Sequence, residues 1–288
     1  MNRIIILLLP VLLYTPFLSF TQSGKVFDNL SMESKILNME RKYAVYLPPD
    51  YETSERSYPV LYLLHGATDD QTGWVQFGEV KHIADKTINE GISTSMIIVM
   101  PDADTKQMGY TNAPNGWNYE DFFFEELMPH VEEKFRIRKE KRYRAVAGLS
   151  MGGGGTFYYA LHRPDLFSSA CPLSASTGPL TREDVDNQMK RRKMPDVSEE
   201  KKQQWFEKYS VVHLMKTLPE EDLKSVRWFI DCGDDDFLYE GNSLVHITMK
   251  KRNIPHEYRV RDGAHNWTYW RQSLPVVLEF ISDAFHQH

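Results

Sequence analysis

Short apolar runs closed by turn residues recur along the chain, separated by longer stretches with one apolar face. "KYAVYLP" (42–48) alternates in strand fashion and ends in a Pro-Pro break. "YPVLYLL" (58–64), "SMIIVM" (95–100), "YRAVAG" (143–148), "FSSACPLSA" (167–175) and "VRWFIDCG" (226–233) are nearly continuous in apolar character. Such runs suit strands covered on both faces, as in a mostly parallel sheet. "HEYRVRD" (256–262) is more polar and predicts a last strand near an edge. Between the runs, "YEDFFFEELMPHVEEKF" sets Phe124, Leu127, Val131 and Phe135 on one helical face, and "NSLVHITMKKRN" and "SLPVVLEFISDAFH" repeat the spacing. This alternation predicts an α/β fold, a mostly parallel central sheet flanked by helices on both faces. Residues 179–224 are polar and charged and predict an insertion between two late strands. No internal repeat or low-complexity linker divides the chain, so 23–288 reads as one domain.

Residues 1–22 read differently. Arg3 precedes an apolar run from Ile4 to Phe20, and polar "TQSG" follows, the order of a signal peptide. The run holds 17 residues and contains Pro10 and Pro16, which favours a cleaved signal over a membrane anchor. An exported protein, periplasmic or secreted, is the expectation. At 41% hydrophobic and 26% charged residues, the composition is that of a soluble globular protein. A formal charge of −6 argues against a nucleic-acid-binding surface. "KRRK" at 190–193, the only dense basic run, lies among acidic residues and reads as a solvated helix face. Cys171 and Cys232 sit in apolar, strand-like runs and read as buried free thiols rather than a bridge.

The candidate chemistry centres on "GLSMGGGG", Gly148 to Gly155. A buried strand runs into Gly148-Leu149-Ser150-Met151-Gly152, and "TFYYALHRPDLF" follows as a helix. That is G-x-S-x-G in the strand–turn–helix setting of a nucleophile elbow. The turn strains Ser150 and leaves no room for side chains two positions either side, hence the two glycines, while Gly153 to Gly155 let the helix pack closely. A phosphate-binding P-loop would need Lys and then Ser/Thr after the glycines. A serine hydroxyl is a weak nucleophile that needs a base, and the base needs an orienting acid. On this kind of elbow they follow in the order serine, acid, histidine. His65, His82 and His130 precede Ser150, and His162 and His213 precede any late acid. His246 lies in a helical stretch, His256 opens the edge strand, and His286 and His288 are tail residues. His265 remains, on the turn after the last strand. The acid belongs just after "VRWFID", where Asp234, Asp235 and Asp236 all qualify and spacing leaves the choice open. No cluster has metal-ligand spacing, and "PDADTK" lacks the remaining ligands of a calcium loop, so neither metal nor cofactor is called for.

"LLHG" (63–66), "NGWNYEDFFFEELMPHVEEKF", "GLSMGG", "CGDDDFLYEGN" and "DGAHNWTYWRQSL" together resemble an esterase family of α/β-hydrolases. It includes feruloyl and acetylxylan esterases of carbohydrate esterase family 1, tributyrin esterases, S-formylglutathione hydrolases and mycolyltransferases. The likeness runs from about residue 35 to the C-terminus. It implies an α/β-hydrolase fold and ester hydrolysis through an acyl-enzyme, with Ser150 as nucleophile and His265 as base. The family's G-x-x-D-x-L pattern puts the acid on Asp236, and its oxyanion-binding amides correspond to Met151 and Ala67. By the same fold, Trp74, Tyr110, Trp117, Trp267 and Trp270 fall near the sheet's carboxyl ends. Some of these pack the loops; Trp74, Trp117 and Trp267 are the candidates for stacking on a sugar or an aromatic acyl group. Export and aromatic loops favour feruloyl or acetyl esters on plant polysaccharides over lipids or a cytosolic thioester. The alternatives are a general short-chain esterase or acyltransferase, and a non-catalytic carbohydrate-binding relative, against which the intact Ser, Asp and His argue.

Overall fold

Each apolar run becomes a strand, and one further strand precedes them. The strands are β1 (Lys25–Ser34), β2 (Met39–Leu47), β3 (Val60–Leu64), β4 (Ile97–Pro101), β5 (Arg144–Leu149), β6 (Ser169–Leu173), β7 (Arg227–Gly233) and β8 (Glu257–Arg261). They form one sheet in the order β1-β2-β4-β3-β5-β6-β7-β8. The pairings β1–β2 and β2–β4 are antiparallel, and the pairings from β4–β3 through to β7–β8 are parallel. The structure, a computed structural model, describes residues 23–103, 106–194 and 196–286, so the signal-peptide reading of 1–22 lies outside it. Among the described residues no helix is long and apolar enough to cross a membrane.

Period-two alternation explains why the central strands read as continuous apolar runs. Val60, Tyr62 and Leu64 enter one core, while Leu61 and Leu63 enter the other. The helix Met151–His162 packs in the first core, with Phe157 and Leu161 against the sheet. The helices Val80–Asn89 and Trp267–His286 cover the opposite face through Val80, Ile83, Leu274 and Val277. Both cysteines are buried and unpaired, Cys171 in β6 and Cys232 in β7, and burial pushes both thiols up.

Two elements differ from the sequence reading. β1 escaped it because this edge strand is mostly exposed and a bulge between Phe27 and Leu30 breaks its alternation. The stretch 119–135 is not a uniform α-helix. A π-helical turn, Phe122–Leu127, joins Tyr119–Asp121 to Met128–Lys134 and buries Phe122 and Phe123 together with Leu127.

The polar segment does lie between β6 and β7, as four helices, Arg182–Arg191, Glu199–Tyr209, Val211–Thr217 and Glu220–Lys224. Thr181, Ser198 and Ser210 cap the first three by accepting from the amides of Asp184, Lys201 and His213. The insertion is anchored through a buried acid outside it. Glu120 meets His162 Nδ1 at 2.6 Å, the Lys208 ammonium at 3.0 Å and the Tyr209 hydroxyl at 2.8 Å. Burial alone would raise the Glu120 carboxyl, but His162, Lys208 and Tyr209 outweigh it and hold it below its ordinary value. A depressed carboxyl contributes stability that is present above its unfolded-state value, about 4.3, and is lost as pH falls through the folded one. Glu120→Gln is therefore expected to lower stability by about 2 kcal/mol at pH 7, with the difference from wild type shrinking below about pH 4. Urea midpoints across pH 3 to 7 check this; a pH-independent difference would refute it.

Candidate active site

The carboxyl ends of β3, β5, β6, β7 and β8 converge on one point. The register sets Leu64 opposite Gly148 and Leu149 opposite Leu173, so β3, β5 and β6 end level. Ser150 follows β5 with φ 55° and ψ −114°, a conformation costly for a residue with a Cβ. The surroundings over-determine it. Its amide donates to the Leu173 carbonyl at 2.9 Å, and its own carbonyl accepts from Gly154 at 3.0 Å and Ser176 at 2.9 Å. Gly148 and Gly152 are required by close approach. A Cβ on Gly152 would lie 2.5 Å from the Leu64 carbonyl oxygen and 2.6 Å from that of His65, and one on Gly148 would lie 2.6 Å from the Gly152 oxygen.

His265 lies between Ser150 and Asp236. Its Nε2 is 2.9 Å from Ser150 Oγ, and its Nδ1 is 2.8 Å from Asp236 Oδ2 and 3.0 Å from Oδ1. The carboxylate accepts the Nδ1 proton, which leaves Nε2 as the acceptor facing the serine hydroxyl. Trp270 meets the imidazole edge-on at 4.9 Å. Phe237 lies 4.4 Å from it and is 72% exposed. Asp236 is 1% exposed. Burial would raise its carboxyl, but hydrogen bonds from His265, the Ser174 hydroxyl and the Leu238 amide prevail and hold it below the usual range. Ser174 is itself fully buried, at φ 44°, and accepts from the Trp270 indole at 3.0 Å.

Of the three candidate aspartates, only Asp236 reaches the imidazole. Asp234 ties the loops after β7 and β8 together, accepting from the Gly263 amide at 3.0 Å, and Asp235 is exposed. The strand carrying His265 is secured by Arg261, which donates to buried Asp231 at 2.7 Å and to Ser273 at 2.6 Å. Met151 opens the helix behind Ser150, in the first turn, where amides lack intrahelical partners. Ala67 follows Gly66, whose Cβ position would lie 3.5 Å from the Ser150 Cβ. The turn before Ala67 is held by buried His65, whose Nδ1 donates to the Gly66 carbonyl at 2.8 Å while Nε2 accepts from the Ala103 amide at 3.0 Å.

Two of the three stacking tryptophans are corrected by the structure. Trp74 is 0% exposed and donates to the Leu64 carbonyl, and Trp117 is 7% exposed and donates to the Gly109 carbonyl. Each indole finds its partner inside the protein, so neither presents a face to a substrate. Trp267 is partly exposed and packs edge-on against Trp74 and Trp270. A pocket of about 490 Å³ lies instead beside Met151 and Ser176, walled by Tyr110, Tyr158, Trp205 and Tyr209. Arg191 and Arg192 also line it, while all four residues of the basic run are exposed, as its composition suggested. Trp205 and Tyr209, spaced i and i+4 in the insertion, were the available sequence signal for this wall.

The family model described as "Esterase: Putative esterase" matches residues 34–281, and the chain belongs to that family. Fold and family are together those of an α/β-hydrolase of the esterase family. Among solved structures, a ferulic acid esterase superposes with a TM-score of 0.81 at 36% identity, covering 91% of this chain and 100% of its own. An esterase of Mycobacterium tuberculosis is 40% identical over 141 residues, 48% of this chain and 29% of that protein. An endo-1,4-beta-xylanase/feruloyl esterase of Xylanibacter ruminicola is 29% identical over 247 residues, 82% of this chain and 28% of that protein. The chain thus spans less than a third of the length of either curated relative.

Because Gly152 meets backbone rather than flexible side chains, Gly152→Ala is expected to destabilise the fold by about 3 kcal/mol. Urea denaturation measures it, and an unchanged midpoint would mean that the helix can move off the strand ends.

Proposed function

We propose that this chain is an exported serine esterase that uses Ser150, His265 and Asp236 to remove feruloyl or acetyl groups from plant polysaccharides. The observation that carries the chemistry is the bridging imidazole, 2.9 Å from the Ser150 hydroxyl and 2.8 Å from the Asp236 carboxylate. Ser150 Oγ attacks the ester carbonyl as its proton passes to His265 Nε2. Asp236 keeps the other ring proton on Nδ1 and stabilises the imidazolium. The negative charge that develops on the carbonyl oxygen is met by the Met151 and Ala67 amides, each such donor contributing about 3 kcal/mol. Collapse breaks the bond to the alcohol, which leaves with the Nε2 proton, and the acyl group stays on Ser150. Water then repeats the sequence, giving its proton to Nε2 and releasing the carboxylic acid.

The substrate reading rests on the two flanks of Ser150. The alcohol leaves on the His265 side, where exposed Phe237 offers a flank open enough for a polysaccharide. The pocket on the Met151 side has the size and aromatic walls for a planar phenolic acyl group or a small acetyl. Partly exposed Trp267 is retained as a contact for the sugar. The likeness to a ferulic acid esterase and to a xylanase/feruloyl esterase supports the same class. Export is supported by Arg3 and the apolar run behind it.

Ser150→Ala is expected to abolish ester hydrolysis and labelling by a serine-directed phosphonate without loss of fold. Asp236→Asn is expected to lower kcat by about four orders of magnitude, with far smaller losses for Asp234→Asn and Asp235→Asn. Steady-state kinetics of the four variants on a p-nitrophenyl ester decide it, and equal mild losses at all three aspartates would point to another acid.

Ferulic acid release from feruloylated arabinoxylan and acetate release from acetylxylan are both expected, with little turnover of long-chain triglycerides. Measured in culture supernatant and in cell extract, the same assays test export. Inactivity on both polysaccharides with brisk cleavage of long-chain lipid esters would rule the substrate class out.

A further inference from the structure

The pocket beside Met151 carries a charge that hydrolysis of a neutral ester leaves unused. Arg191 and Arg192 both line it, and no carboxylate stands among its described lining residues. Arg192 is committed to structure, donating to the Gln107 carbonyl at 2.6 Å. Arg191 has no hydrogen-bond or ion-pair partner among the described residues. Arg182 pairs with Asp186, Lys202 with Asp186 and Glu199, and Lys208 with Glu120. Exposed Lys190 and Lys193 beside Arg191 show no ion pair among the described residues but lie outside the pocket lining. In a chain of net charge −6, two exposed arginines therefore line one aromatic-walled cavity with no carboxylate among its described lining residues.

The position of the pocket indicates which half of the ester meets that charge. His265 Nε2 delivers its proton to the leaving alkoxide, so the alcohol lies on the His265 side. The pocket's described lining holds neither Ser150 nor His265, but it includes Met151, the residue after Ser150, and Ser176, whose amide donates to the Ser150 carbonyl, and this places it on the acyl flank. We propose that this acyl pocket selects acyl groups bearing a negatively charged oxygen at the end remote from the ester, recognised by Arg191. The inference rests on the assignment of Ser150 as nucleophile. A guanidinium offers a planar fork that a carboxylate fills with two parallel hydrogen bonds, whereas a phenolic oxygen fills one. Arg191 is itself exposed, so added salt screens the pairing. Gln188 beside Arg191 supplies a neutral polar contact to the same end of the acyl group.

The test compares methyl cinnamate esters that carry a para carboxylate or the isosteric para carboxamide, at pH 7. Their rigid frame keeps the substituent away from the ester carbonyl. Wild type is expected to prefer the carboxylate in kcat/KM by about tenfold at low ionic strength, with the preference falling as salt is added. In Arg191→Gln the ratio is expected to fall to about one, and Arg191→Lys should restore part of it. Lys190→Gln, an exposed neighbour outside the pocket lining, should keep the wild-type ratio. Because each ratio is taken within one variant, a change in the folded fraction cancels. A wild-type ratio of one, or a preference that survives in Arg191→Gln, overturns the proposal. p-Nitrophenyl acetate, which has no remote substituent, reports separately on Ser150. Wild-type activity on it with a ratio of one sinks this inference alone, and absence of that activity sinks both.

Discussion

The site depends on one contact, the approach of the helix Met151–His162 to the ends of the neighbouring strands with no side chain between them. Gly152 lies against the carbonyls of Leu64 and His65, Gly153 against Ala175, and Gly154 against the Ser176 carbonyl. At those separations backbone meets backbone, and the chain has no other way to turn from β5 into the helix. Ser150 is consequently held at positive φ with its hydroxyl 2.9 Å from His265 Nε2, at the start of a helix whose first amides lack intrahelical partners. The strain is local, but the hydrogen bonds that maintain it come from β6 and from the segment after it.

A second constraint acts at a distance. Charges removed from water must be paired, and here three buried acids each hold a different part of the site. Asp236 orients the imidazole. Asp231, one strand-turn earlier, binds Arg261 and Tyr269 and so secures the end of β8, from which His265 emerges. Glu120 fastens the insertion through Lys208 and Tyr209, and Tyr209 is also a wall of the pocket. Loop geometry in this protein is therefore set largely by interior electrostatics, with the sheet supplying the frame.

The two flanks of Ser150 have opposite characters. Beside His265 the surface is open and aromatic, with Phe237 and Tyr239 exposed. Beside Met151 it is a pocket closed partly by the insertion, whose polar sequence supplies Trp205, Tyr209 and two exposed arginines to its lining. The fold thus acquires an individual pocket beside Ser150 from a segment that supplies none of Ser150, Asp236 and His265.

The strands, the elbow and the histidine could be read without coordinates because their signals are local. Continuous apolar runs mark buried strands, G-x-S-x-G needs only five consecutive residues, and chain order together with helix, strand or tail setting sets the other histidines aside. From spacing alone Asp234, Asp235 and Asp236 are equivalent, since neighbouring carboxylates differ only in where the loop after β7 turns. The G-x-x-D-x-L resemblance singled out Asp236, and the geometry that brings it to His265 includes a tie from Asp234 to Gly263, 29 residues along the chain. The same limit applies to the tryptophans. Trp74 and Trp117 sit in plausible loops, yet each indole N–H found a carbonyl in the interior, a partner that no local pattern announces. β1 was hidden because a bulged, half-wet edge strand has no clean period. Arg191 reads as one charge in a solvated run and is indeed exposed, and only the packing of the insertion beside Met151 makes it part of a pocket lining. Periodicity and short motifs are properties of consecutive residues and are written in the sequence, whereas burial, pairing and the neighbours of a charge belong to contacts between distant residues, and only the folded chain decides them.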